Sequence, residues 1–192
     1  FIQKNRIGKI LFAKIWCESN LIDWHPSEDQ TKMYSSKKSE GGGGLLDLIH
    51  EIDLVRWLFG KTHKIKSFLS NTKTLNIRTE DVANIIFLFP KNIQLNMSLN
   101  YLEKPIKRGI YIYGTEGSIE WSLEKNCFSH SSHGNSKIKI TRPPKNWSHN
   151  SMYIEQSKYV INCIKKNKKS FNSFNEAVDV MRMASKIKKS NS

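Results

Sequence analysis

Asp47, His50 and Asp53 follow one another at three-residue spacing in "GGGGLLDLIHEIDLVRW". Histidine side chains ordinarily titrate near about pH 6.5, so an imidazole here could accept a hydroxyl proton or donate to a carbonyl. Asp47 stands one turn before His50, and a carboxylate there could hold the ring and set its tautomer. The glycines 41–44 that precede the run are costly in backbone entropy. They make sense where the backbone must come close to another group, and a helix N-terminus favours an anionic or electron-rich neighbour.

Residues 43–59 read as the helix that carries these side chains, ended by Gly60. At about 100° per residue, Leu45, Leu48, Ile52, Val55 and Phe59 form one apolar stripe, with Ile49 at its edge. Asp47, His50, Glu51 and Leu54 fall opposite. The bland alternative is a solvated face, because the core-facing stripe is complete without the acids or the histidine.

The surrounding elements follow from alternation and punctuation. "KILFAKIWC" (9–17) and "KIKSFLS" read as strands, and 79–89 leads into the buried strand "VANIIFLF". In "NIQLNMSLNY", Ile93, Leu95, Met97, Leu99 and Tyr101 face one way, and Gln94, Asn96, Ser98 and Asn100 the other. "GIYIYGTEGSIEWSL" is a hairpin turning at Gly114–Gly117, and 125–140 suggests further short strands. Two helices, 152–165 and 175–188, close the chain, with Ser173 or Asn175 as start of the second. Residues 20–40 form a long polar loop, of a length often tied to function. The order predicts an α+β, two-layer fold: an open-faced, mostly antiparallel sheet with helices on one face. No alternating βαβ pattern or internal repeat is present.

Composition narrows the class. The 192 residues carry a formal net charge of +14, with 25 lysines but only six arginines. The lysines are scattered, and the densest clusters, 165–169 and 186–189, lie near helix C-termini, where the helix dipole favours cations. A nucleic-acid footprint is therefore not expected. No apolar run approaches the roughly 18 residues of a membrane span. Three widely spaced cysteines give no disulfide framework, and no signal peptide is visible, so a cytoplasmic location is expected. "FIQKNRIG" looks like the tail of a preceding helix over residues 1–7, stopping at Gly8, which suggests that the sequence is the C-terminal part of something longer.

"SEGGGGLLDLIHEIDLVRWLFG" resembles the G-G-G-x-x-x-D-x-x-H-x-x-D-x-x-x-W-L-F-G segment of the glucose–fructose oxidoreductase / inositol dehydrogenase (Gfo/Idh/MocA) family. "DWHPSEDQTKMYSSKKSEGGG" resembles the loop before it in one branch, and "YLEKPIKRGIYIYGTEGSIEW" that branch's later strand pair. The matches run over residues 8–122. The resemblance implies that residues 1–192 are a single C-terminal substrate-binding and oligomerisation domain. It implies an N-terminal Rossmann domain, holding NAD or NADP, as partner outside these residues. His50 matches the family's catalytic histidine and Asp47 the acid before it; many members space the two by four residues rather than three. Trp24, His25, Tyr34, Tyr101 and Arg108 become candidates for the substrate pocket, with an aromatic ring stacking on a sugar-like substrate. Gly42 and Gly43 become candidates for close approach to the cofactor.

The implied activity is hydride transfer between NAD(P) and a sugar, polyol or nucleotide-sugar, with the isolated chain inactive. The open sheet is the expected face for a homo-oligomer. The alternative is a stand-alone, non-catalytic binding or oligomerisation module. Glu103-Lys104-Pro105 imitates the family's catalytic Glu-Lys-Pro but follows an antiparallel strand, so Lys104 is assigned to the site edge with Arg108. His50-Glu51 lacks the second histidine of H-E-x-x-H, since residue 54 is Leu. Cys127, His130 and His133 match no standard zinc spacing and read as a surface segment; no metal is expected. Cys17 and Cys163 read as small core residues.

Overall fold

The computed structural model describes residues 6–191. The expected helix tail at 1–7 therefore lies largely outside the described residues; Gly8 follows a turn and has φ +69°. Eight strands form one sheet: β1 (Ile10–Glu18), β2 (Lys64–Ser70), β3 (Val82–Leu88), β4 (Gln94–Asn100), β5 (Lys107–Gly114), β6 (Gly117–Ser122), β7 (Cys127–Ser132) and β8 (Asn135–Thr141). Their order is β2-β3-β4-β1-β5-β6-β7-β8. Every pair is antiparallel except β1–β4, which is parallel with Ile15 opposite Met97. The expected α+β class, an open and mostly antiparallel sheet, is what the chain adopts.

The inner face follows the alternation. Ala13, Ile15, Ile85, Phe87, Leu95, Met97, Leu99 and Ile112 are all buried. They pack against Leu45, Leu48, Ile52 and Val55 from the glycine-led segment and against Val180, Met183, Ala184 and Ile187 near the C-terminus. Side chains alternate across a pleated strand, so the same registers send Gln94, Asn96, Phe12, Phe68 and Ile86 to the outer face. There Phe12 stacks on Tyr113 with ring centroids 5.2 Å apart.

The segment expected as one helix is two. α1 (Gly44–Asp47) stops at Leu48, whose φ −97° and ψ 26° break the helical path, and α2 (Ile49–Phe59) then runs to Gly60. α3 (His149–Lys165) and α4 (Phe174–Lys189) close the chain, and the Ser173 hydroxyl accepts from the Glu176 amide at the start of α4. α4 lies over α2 and β2, whereas α3 buries none of its residues. No helix among the described residues is long and apolar enough to cross a membrane.

Candidate active site

α1 and α2 cover the inner face over β1, β3 and β4, and α2 meets the start of β5 where Glu51 pairs with Arg108. There the sheet, the α1–α2 break and the approach to α3 enclose a cavity of about 650 Å³. Volumes of this order suit small-molecule ligands. Trp24, Asp47, His50 and Arg108 line it, together with Cys17, Trp121, Arg142, Trp147 and His149.

His50 stands at this wall with its side chain 46% exposed. The carboxylate that meets its ring is Glu51, with Oε1 3.3 Å from His50 Nε2. The expectation that Asp47 would hold the ring is corrected. Asp47 Oδ2 instead accepts from the Tyr101 hydroxyl at 2.6 Å. Tyr101 is fully buried, and its hydroxyl is pushed far above the ordinary phenol range by desolvation first and the Asp47 bond second. Tyr101 thus acts as a permanent donor that anchors Asp47, and it lies behind the cavity wall rather than on it.

Glu51, placed by the helical stripe on a solvated face, is 1% exposed. Its Oε1 also accepts from Arg108 Nε at 2.5 Å. A buried carboxylate needs such a partner, because an unpaired charge is costly away from water. Arg108 comes from β5 opposite Cys17 of β1. Its guanidinium carbon lies 6.0 Å from the centre of the Trp121 ring, within cation–π range.

Cys17 is not simply a core residue. Its sulfur lies 4.0 Å from His50 Nε2 at the cavity wall. Burial first, and the Glu51 charge second, push its thiol up to about 12. Cys17, His50 and Glu51 are, among the described residues, the grouping whose donor atoms could meet a metal, all within 4.8 Å. The thiol held protonated and the carboxylate taken by Arg108 suit hydrogen bonding better than cation binding. Cys127 and His130 lie on β7 at an odd separation and so point to opposite faces of the sheet. The His133 ring packs on Tyr113 with centroids 4.9 Å apart. These three side chains do not converge.

The glycines do meet close neighbours, but within the chain. A Cβ on Gly42 would stand 2.2 Å from the Tyr34 carbonyl oxygen. One on Gly43, at φ +120°, would stand 2.3 Å from Glu80 Oε1. Glu80 Oε1 accepts from the Leu45 amide at 3.4 Å, so the electron-rich group at the helix start is the protein's own carboxylate. A carboxylate there gives no cradle for dinucleotide phosphates.

In the long loop, Trp24 Nε1 donates to Ser19 Oγ at 3.0 Å, and the ring meets Tyr101 edge-on at 5.4 Å. His25 and Tyr34 are corrected as pocket residues. His25 sits 3.5 Å from Glu28 at the surface, Tyr34 is 53% exposed, and neither lines the cavity. Lys104 pairs with Asp23 at 2.7 Å on the exterior, so the site edge keeps Arg108 without it. Glu51, Trp121, Arg142, Trp147 and His149 were not anticipated. Of these, Glu51 adjoins the Asp-His motif and Trp121 ends the strand-pair motif; Trp147 and His149 follow Pro143-Pro144 in a stretch without periodicity.

With this geometry in view, comparison with known proteins is decisive for the family. The family described as the GFO/IDH/MocA C-terminal domain matches residues 1–120. The chain belongs to that family. Solved structures of similar fold include levoglucosan dehydrogenase in its apo form, at 17% identity and a TM-score of 0.85, covering 98% of this chain and 59% of that one. Levoglucosan dehydrogenase in complex with NADH and levoglucosan has 17% identity and a TM-score of 0.86, covering 98% and 58%. An NAD binding oxidoreductase from Klebsiella pneumoniae has 12% identity and a TM-score of 0.83, covering 98% and 58%. The GFO/IDH/MocA chain described here thus spans 59% of the length of the first of these structures. A comparison with curated proteins gives no match.

Proposed function

We propose that residues 1–192 form the substrate domain of an NAD(P)-dependent oxidoreductase acting on a sugar, polyol or nucleotide-sugar. The observation that carries this reading is His50 at the wall of a Trp-lined cavity, backed by a buried Glu51–Arg108 pair. Levoglucosan dehydrogenase, of the same fold, was solved with NADH and levoglucosan. A bound nicotinamide would supply the hydride chemistry at the substrate's carbinol carbon. In this reading it is held by an N-terminal Rossmann domain outside these residues, in keeping with the lack of a phosphate cradle at Gly42 and Gly43.

The chain's own residues handle the proton and the geometry. With Nε2 turned to Glu51, His50 Nδ1 is the ring nitrogen that accepts the substrate hydroxyl proton in oxidation and returns it in reduction. Glu51, 3.3 Å from the ring, limits its rotation. Asp47, fixed by Tyr101, accepts a second hydroxyl, and Trp24 and Trp121 wall the ring. The test joins this chain to a Rossmann domain of the family. His50→Ala should lower kcat at least 100-fold while leaving NADH affinity within about twofold, since general-acid–base groups contribute on that scale. Unchanged kcat removes His50 from the mechanism.

The outer sheet face favours a second reading, a binding or oligomerisation module without catalysis. Phe12, Phe68 and Ile86 are 37%, 55% and 40% exposed on that face. Phe68 and Ile86 lie on neighbouring strands, and apolar exposure there suits a second copy of the chain. A chain that sediments as a multimer, and that binds neither sugar nor gains turnover from a Rossmann domain, would favour it.

A further inference from the structure

We infer that the substrate of this cavity carries an anionic group, a carboxylate or a phosphate, which Arg142 holds at the mouth. The inference rests on the substrate-domain reading and adds the charge class of the ligand.

The charges lining the cavity are unequal. Asp47 contributes the acid, and its carboxylate is already engaged by Tyr101. Arg108 and Arg142 contribute two guanidiniums. Arg108 is neutralised from behind by Glu51 at 2.5 Å. Arg142 has no such partner: it donates from Nη1 to the Lys125 carbonyl at 3.3 Å, and among the described residues no carboxylate pairs with it. An arginine tied to a neutral carbonyl keeps most of its fork of donors for a planar or tetrahedral anion.

A second element points the same way. α3 begins at His149, which lines the cavity with Trp147 before it and Met152 one turn on. The first-turn amides of a helix lack intrahelical acceptors and carry the positive end of its dipole. Arg142 and the start of this 17-residue helix, whose Ser151 amide is already taken by the Ser148 cap, line the same cavity as Trp121, Trp147 and His50. A ring held against those tryptophans with its hydroxyl toward His50 presents its anionic substituent to Arg142.

The test uses the 192-residue chain and its cavity tryptophans as the fluorescent reporter. D-glucose, D-glucuronate and D-glucose 6-phosphate are titrated in turn. Glucuronate or glucose 6-phosphate should bind at least tenfold more tightly than glucose; which of the two binds more tightly assigns carboxylate or phosphate. Arg142→Gln should abolish the preference, and Arg142→Lys should restore part of it. Lys38→Gln, which removes the same charge far from the cavity, should leave the preference intact and so separates the site from the overall basicity. Equal binding of glucose, no binding of any probe, or a preference that survives Arg142→Gln overturns the inference.

The joined, cofactor-bearing protein separates this outcome from the parent reading. Hydride transfer to neutral sugars that is indifferent to Arg142→Gln sinks the anion inference and keeps the oxidoreductase. Arg142-dependent anion binding without any hydride transfer does the reverse.

Discussion

Arg108 Nε donates to Glu51 Oε1 at 2.5 Å, closing α2 onto β5 across 57 positions of sequence. The same oxygen lies 3.3 Å from His50 Nε2. One buried carboxylate therefore sets the position of two side chains of opposite roles. Glu51→Ala should cost roughly 2–4 kcal/mol in urea unfolding, since it strands Arg108 beside a cavity left in the wall. Glu51→Gln should cost less, because its carbonyl oxygen can still accept from Arg108. Equal losses for the two variants would mean that packing, rather than the ion pair, dominates.

The glycine run yields a graded series. Gly42→Ala should cost about 3 kcal/mol, because its Cβ would meet the Tyr34 and Ser35 backbone at 2.2 and 2.5 Å. Gly44→Ala should be neutral or stabilise by about 0.5–1 kcal/mol, as a helical position whose Cβ neighbours begin at 3.5 Å. Thermal unfolding of the two variants reads the order directly; a Gly44 variant less stable than the Gly42 variant would contradict the packing.

Cysteine reactivity should separate by position. With its thiol pushed up to about 12 and 3% exposure, Cys17 has almost no accessible thiolate at pH 8. Cys163 on α3 is partly exposed. Iodoacetamide should label Cys163 in the native chain and Cys17 only after unfolding in urea, read by peptide mass spectrometry. Fast native labelling of Cys17 would show that the cavity wall opens.

The α2–α4 contact has an acid-sensitive component. Arg56 and Arg182 donate to Asp179 at 3.2 and 3.1 Å, and these bonds hold its carboxyl below the ordinary range. A depressed native pKa means that the unfolded chain takes up the proton first, so this stabilisation is present above about pH 4 and lost as pH falls through the native pKa. Asp179→Asn should lower the melting temperature at pH 7, and the gap to the parent should close on acidification. A gap that widens below pH 4 would reverse the assignment.

Much of this fold can be read from local pattern, because each strand carries its own alternation. Leu95, Met97 and Leu99 are buried and Gln94 and Asn96 exposed, as period-two spacing requires. What a strand's pattern lacks is its neighbours. Nothing in "KILFAKIWC" says that it inserts between β4 and β5, so the meeting of Cys17 with Arg108 was invisible. The helical stripe failed at Glu51 for two reasons. It assumed an unbroken helix through Leu48, and it treated the polar side as solvent when β5 supplies an arginine there. His50 was found because its motif is contiguous. Arg142, Trp147 and His149 were not, because an irregular connection carries no period to place them.

The parallel β1–β4 pair has a kinetic meaning. β1 ends at Glu18, while its two partners begin at Gln94 and Lys107. Neither side of the sheet's central strand can be satisfied by nearby chain, so folding must close long loops before its hydrogen bonds are repaid. Until then "ILFAKIWCE" is a β-prone apolar segment with both edges bare, the kind that pairs with copies of itself. Lys9 before it and Lys14 within it offer modest protection, and refolding yield should fall with protein concentration even where the finished sheet is stable.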